Sequence, residues 1–155
     1  LFAKQLYCLG KYYNTALVSV EANFSSYPIR ELERLRYPRQ YVRQTEDSFT
    51  HRIRQSYGFK TSSVTRPLVI AGLVEVVREH PDWLNDRDTL NEMLTFVRNE
   101  SGRPEAQQGA HDDCVMSLAI AYYVRGRIPA GTGEQGDSPF LSIERGERSW
   151  TNGAS

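Results

Sequence analysis

The sequence predicts an α/β domain, a mixed sheet flanked by helices, on three observations. A short, β-branched, nearly continuous apolar run, Ala16 to Val20, has the composition of a strand covered on both faces. Stretches of helical periodicity lie on either side of it. Looser alternation farther along supplies a hairpin, and interleaving of strands with helices favours α/β over segregated classes.

The elements follow in chain order. Leu1, Leu6, Leu9, Tyr12 and Tyr13 recur at near-helical spacing, and Asn14-Thr15 stops that first helix. The strand Ala16 to Val20 comes next and ends in Glu21-Ala22-Asn23. Ser25-Ser26-Tyr27-Pro28 then supplies turn chemistry, with proline opening a helix that carries Ile29, Leu32 and Leu35 and closes at Pro38. Gln40 to Arg43 and Phe49 to Tyr57 alternate around Thr45-Glu46-Asp47-Ser48 as the two arms of a hairpin.

Val64 to His80 reads as an amphipathic helix, with Leu68, Ala71, Val74 and Val77 at three-residue steps and Leu68, Ile70 and Leu73 assigned to the core. His80-Pro81 ends it. Thr89 to Phe96 fits either a short strand or a helical turn, and Ser101-Gly102-Arg103-Pro104 is a loop. A last helix, Asp112 to Tyr123, puts Val115, Leu118, Ala119 and Tyr122 on one face. After Arg125 come six glycines and two prolines with little apolar content, so the sequence divides into a domain over 1–125 and a flexible Gly-rich tail over 126–155.

Composition bounds the function. The chain has 155 residues, 39% apolar and 25% charged, enough to build one core without disulfide or metal staples. Its two cysteines, Cys8 and Cys114, form neither a disulfide framework nor a zinc spacing and fit a reducing compartment. No apolar run approaches the roughly 18 residues of a membrane span, and Leu1 to Gly10 lacks a signal-peptide pattern. A soluble intracellular protein is expected, and an opening in Leu1 rather than Met suggests a longer parent chain.

Net charge is zero, but the charges are segregated. Residues 29–54 hold seven Arg against four acids, and residues 75–113 hold ten acids against four Arg. The basic hairpin, interleaved with Tyr37, Tyr41 and Tyr57, suits phosphate tracking, and equally suits a solvated face.

The most informative motif is Gly109-Ala110-His111-Asp112-Asp113, at the start of the last helix. Adjacent carboxylates are tolerated most cheaply at a helix N-terminus, as N-cap and first-turn acid. The alternative is that one or both hold a hard divalent cation through oxygen. Glu21, after five mostly apolar strand residues, is a second candidate, because an acid there is costly unless paired, metal-bound or already at the surface. Acidic ligands far apart in sequence suit a two-metal phosphoryl displacement.

Three blocks together resemble a known family, the C-terminal nuclease domain of the large terminase subunit of tailed phages. They are Val18-Ser19-Val20-Glu21-Ala22-Asn23, then Gly58-Phe59-Lys60-Thr61-Ser62 running into Thr65-Arg66-Pro67-Leu68, then Gly109-Ala110-His111-Asp112-Asp113. The resemblance covers about residues 1–124. It implies a ribonuclease H-like fold and an Mg²⁺- or Mn²⁺-dependent endonuclease that cuts concatemeric double-stranded DNA during genome packaging. Portal protein and small terminase subunit are the implied partners, and the cytoplasm of the bacterial host is the implied location. By position, Glu21 corresponds to the second acidic ligand, and the Asp112-Asp113 pair contains the last, with Asp113 favoured slightly. His111 has a role near the scissile phosphate or, equally, a hydrogen bond to a carboxylate. Arg39, Arg43, Arg52 and Arg54 of the basic segment, with Lys60, Thr61 and Arg66, are the expected DNA contacts.

The chain departs from the family in two respects. The family's first catalytic Asp lies on the first strand, ahead of the first helix seen here, so that one ligand and three strands are expected to lie outside this sequence and the fragment's own activity stays open. No G-x-x-x-x-G-K-[ST] phosphate loop occurs. Gly131 to Gly136 matches G-x-G-x-x-G but lacks a preceding strand and a following helix. Asn23-Phe24-Ser25 and Asn99-Glu100-Ser101 are glycosylation sequons by pattern only. A junction resolvase of similar fold, or a non-catalytic prophage remnant docking DNA or portal protein through residues 30–54, are the competing readings.

Overall fold

The computed structural model describes residues 1–46 and 51–126. Asp47 and Ser48 of the expected hairpin tip, Phe49 and Thr50 of its second arm, the Gly-rich tail beyond residue 126 and the Gly131 to Gly136 motif lie outside them, whereas Thr45 and Glu46, expected in the tip, extend the first arm and pair with Arg54 and Ile53. Within the described residues the chain is mixed α/β, with five α-helices and two small antiparallel sheets.

Helix α1, Phe2–Tyr12, ends where Asn14 and Thr15 both take φ of 54°. A left-handed pair cannot continue a helix, and a β-branched residue adopts it only under strain, so the chain turns sharply into the extended run. Helix α2, Tyr27–Arg34, starts on Pro28 and buries Ile29 and Leu32. The buried Tyr37 packs edge-on against Tyr7 of α1, and its hydroxyl donates to the Ala16 carbonyl at 2.5 Å. Gly10 leaves the space that the Tyr37 ring fills.

The extended run is the main correction to the predicted sheet. Val18 forms a parallel bridge with Gln40, and Glu21 forms another with Phe59. No continuous ladder forms because the partner changes: residues 39–41 run on into strand β1, Val42–Glu46, which turns away to pair antiparallel with β2, Ile53–Tyr57. Val18, Val20 and Ala22 direct their backbone bonds to one edge, toward Arg39, Tyr41 and Phe59. The backbone groups of Leu17, Ser19 and Glu21 alternate to the other edge, where no partner occurs among the described residues. Residues 16–22 are accordingly half-buried rather than covered on both faces.

Helix α3, Thr65–Glu79, packs against α5, Asp113–Arg125, and the two build the core. Val69, Ile70 and Leu73 meet Val115, Met116, Ala119, Ile120 and Val124, with Phe59 closing one side. The predicted face of α3 is partly wrong: Ile70 and Leu73 are core, but Leu68 and Val74 are each 51% exposed, and Ala71 and Val77 are exposed too. Three-residue steps lag the 3.6-residue turn by about 60° each, so that line winds halfway around the helix and cannot share one buried stripe.

The ambiguous stretch after His80 resolves as helix α4, Arg87–Leu94, preceded by a single 3₁₀ turn at Pro81–Trp83. Asp86 caps α4 by accepting from the Thr89 amide and hydroxyl. Strands β3, Phe96–Arg98, and β4, Pro104–Ala106, then form a hairpin, so Pro104 belongs to a strand rather than to the predicted loop. Asn99 organises its turn by accepting from the Ser101 amide, the Ser101 hydroxyl and the Arg103 amide. That sequon is turn chemistry.

Candidate active site

Glu21 lies where the extended run meets the residues after β2. Gly58 takes φ of 84°, and a Cβ there would collide with Ile29 and the Val20 carbonyl. Only glycine lets the backbone come close enough for Phe59 to donate to Val20 O at 2.8 Å and accept from Ala22 N at 2.7 Å. Two residues on, Asn23 clasps Thr61 from both sides: its amide donates to Thr61 O at 2.6 Å, and its side-chain oxygen accepts from Thr61 N at 2.9 Å. The sequon at Asn23 is thereby used as a structural clamp.

The same segment starts α3. Ser62 Oγ accepts from the amides of Val64 and Thr65, while Thr65 Oγ1 accepts from Ser62 N and donates to the Lys60 carbonyl. This reciprocal arrangement satisfies amides that a helix start otherwise leaves open. It also fixes the phase of the helix, so Arg66 points inward. Arg66 Nη2 donates to Asp112 Oδ2 at 2.5 Å and lies 3.4 Å from the Pro104 carbonyl. The pair is mostly covered, with side chains 15% and 27% exposed, and Arg66 Nε is buried without a partner.

At the other end of that bridge, Asp112 occupies the N-cap position of α5 but makes no capping bond. The cap comes from Glu92 of α4, whose Oε2 accepts from Cys114 N at 2.8 Å and Val115 N at 3.1 Å. Glu92 was not among the residues singled out from sequence, and no local motif marks it, because it acts across 22 positions. Hydrogen bonding of its thiol to the Glu92 carboxylate above all, then burial, then the negative charges of Glu92, Asp86 and Asp88 push Cys114 above its ordinary range. Asp113 and His111 are exposed at the helix start.

Hence the structure joins Asp112 to Arg66, and Glu21, by an isolated backbone bridge, to Phe59. It does not gather a metal centre, since among the described residues no three His, Cys, Asp or Glu side chains stand close enough together to hold an ion. Glu21 and Asp113 offer the hard oxygen donors that Mg²⁺ or Mn²⁺ requires. Asp112 is already neutralised by a guanidinium.

The expected DNA contacts divide into two groups. Arg39, Arg52, Arg54 and Lys60 are exposed. Arg43 is half-buried, with Nη1 donating to the carbonyls of Tyr57 and Gly58, both at 2.9 Å. Arg66 is committed to Asp112, and Thr61 is held by Asn23 while its hydroxyl is buried without a partner. Comparison with protein-family models, curated proteins and solved structures finds no significant match.

Proposed function

We propose that this chain is part of a ribonuclease H-like nuclease of the tailed-phage large-terminase type, acting on double-stranded DNA in the cytoplasm of a bacterial host. One observation carries the reading. The three sequence blocks on which the resemblance rests, tens of residues apart, meet in space: Glu21 bridges Phe59, Asn23 clasps Thr61, and Arg66 of the second block pairs with Asp112 of the third.

Mg²⁺ or Mn²⁺ is the cofactor this reading requires, with Glu21 and Asp113 or Asp112 as ligands. When bound, it would activate water for phosphodiester hydrolysis. The carboxylates present do not complete its site, and a further acidic ligand is required. The unpaired edge beside Leu17, Ser19 and Glu21 offers a place for an added strand to dock. Among the described residues no helix is long and apolar enough to cross a membrane.

The test is cleavage of linear duplex DNA by the full-length protein with Mn²⁺ and with chelator. Glu21→Gln should abolish cleavage with an unchanged circular-dichroism spectrum. Cleavage retained in that variant would refute the assignment. A marked preference for four-way junctions would indicate a resolvase, and chelator-insensitive binding without cleavage would indicate a non-catalytic DNA-docking module.

A further inference from the structure

A cavity of about 630 Å³ opens between β1 and the start of α3. Its volume falls within the range of small-molecule and cofactor sites. Its charged lining consists of Arg43 and Lys60, with no carboxylate, and no ion pair among the described residues neutralises either. Its apolar lining is Val42 and three aromatic residues: Tyr41, Phe59 and Tyr123 form a tier, with ring centroids 6.2 Å apart for the first pair and 5.6 Å for the second. Two backbone carbonyls anchor Arg43, so its charge is held in place before any ligand arrives.

Uncompensated cations beside aromatic rings match a ligand that carries a phosphate and a flat base. We infer that this cavity holds one unpaired nucleotide of the DNA strand being processed, the base against Tyr41 and the phosphate against Lys60 and Arg43. A base can enter only after leaving its duplex stack, so a single strand is preferred to a blunt duplex and base identity matters little. Phe59 lines the cavity and forms the backbone bridge to Glu21, which is not itself part of the lining. The inference rests on the nuclease reading and gives it a binding subsite.

The test is fluorescence anisotropy of the 155-residue chain with a labelled single-stranded oligonucleotide in EDTA, where cleavage plays no part. Gln44→Trp, an exposed residue at the cavity wall, should fill the space, weaken binding at least tenfold and leave the salt dependence unchanged. Lys60→Ala should weaken binding severalfold and reduce the salt slope by about 0.7, the contribution of one phosphate on a single strand. Arg30→Ala, an exposed cation outside the cavity, should keep the slope. Unchanged affinity in Gln44→Trp, or a blunt duplex bound as tightly as the single strand, would overturn the proposal. Competition by deoxythymidine monophosphate at the oligonucleotide's own affinity would also overturn it, making this a free-nucleotide site. Loss of cleavage activity in the full-length protein with this binding pattern retained would remove the nuclease reading alone; cleavage retained with wild-type binding in Gln44→Trp would remove the cavity assignment alone.

Discussion

Glu92→Ala removes the acceptor that caps α5 from outside. The native carboxylate oxygen takes two backbone N–H groups, at 2.8 and 3.1 Å, on a half-buried side chain. A hydrogen bond to a charged acceptor contributes about 1.5–3 kcal/mol, and the shared oxygen, the longer second bond and partial solvent access bring the pair to about 2 kcal/mol. For a chain of this length the melting temperature should fall by about 4–8 °C. Glu92→Gln keeps an acceptor oxygen and loses the charge at the positive end of the helix, so about half that loss is expected. Thermal unfolding by circular dichroism measures both. Amide exchange should accelerate at Cys114 and Val115 in the alanine variant. A shift below about 1 °C for Glu92→Ala, with unchanged protection at those two amides, would refute the capping argument.

Gly10→Ala should destabilise by about 1 kcal/mol or more in a denaturant titration, although alanine favours helix, because its Cβ meets the Tyr37 ring that is anchored on Ala16. Arg66→Met leaves Asp112 half-buried and unpaired and should cost about 1–3 kcal/mol, with a coupling of about 1 kcal/mol to Asp112→Asn in a double-mutant cycle. Iodoacetamide at pH 8.5 should label the exposed Cys8 before Cys114, and Glu92→Gln should accelerate Cys114 as seen by peptide mass spectrometry. Because the Cys114 thiol is raised in the fold, its stabilisation is complete below the free-thiol value and fades as pH rises through the folded value. The alkaline loss of melting temperature should therefore be shallower in Cys114→Ser.

Sequence by itself determined the elements whose cause is local. Proline at the start of α2, Asn14-Thr15 at the end of α1 and the apolar periods of α3 and α5 are each legible within one or two turns. So was the existence of the β1–β2 hairpin, though not its extent, since Thr45 and Glu46 read as turn residues yet pair with Arg54 and Ile53. The tertiary structure decided whatever depends on a partner elsewhere in the chain. Val18 and Glu21 pair with residues 22 and 38 positions away, so a run that reads as a buried strand becomes two bridges with an open edge. The buried arc of α3 is set by the phase that Ser62 and Thr65 give it and by where α5 lies, which leaves Leu68 in solvent while Val69 is fully buried. Asp112 has a helix-capping position in sequence, yet Glu92 does the capping and Arg66 takes Asp112. Propensity and periodicity act over a few residues, whereas charge pairing and strand pairing are chosen by proximity in space.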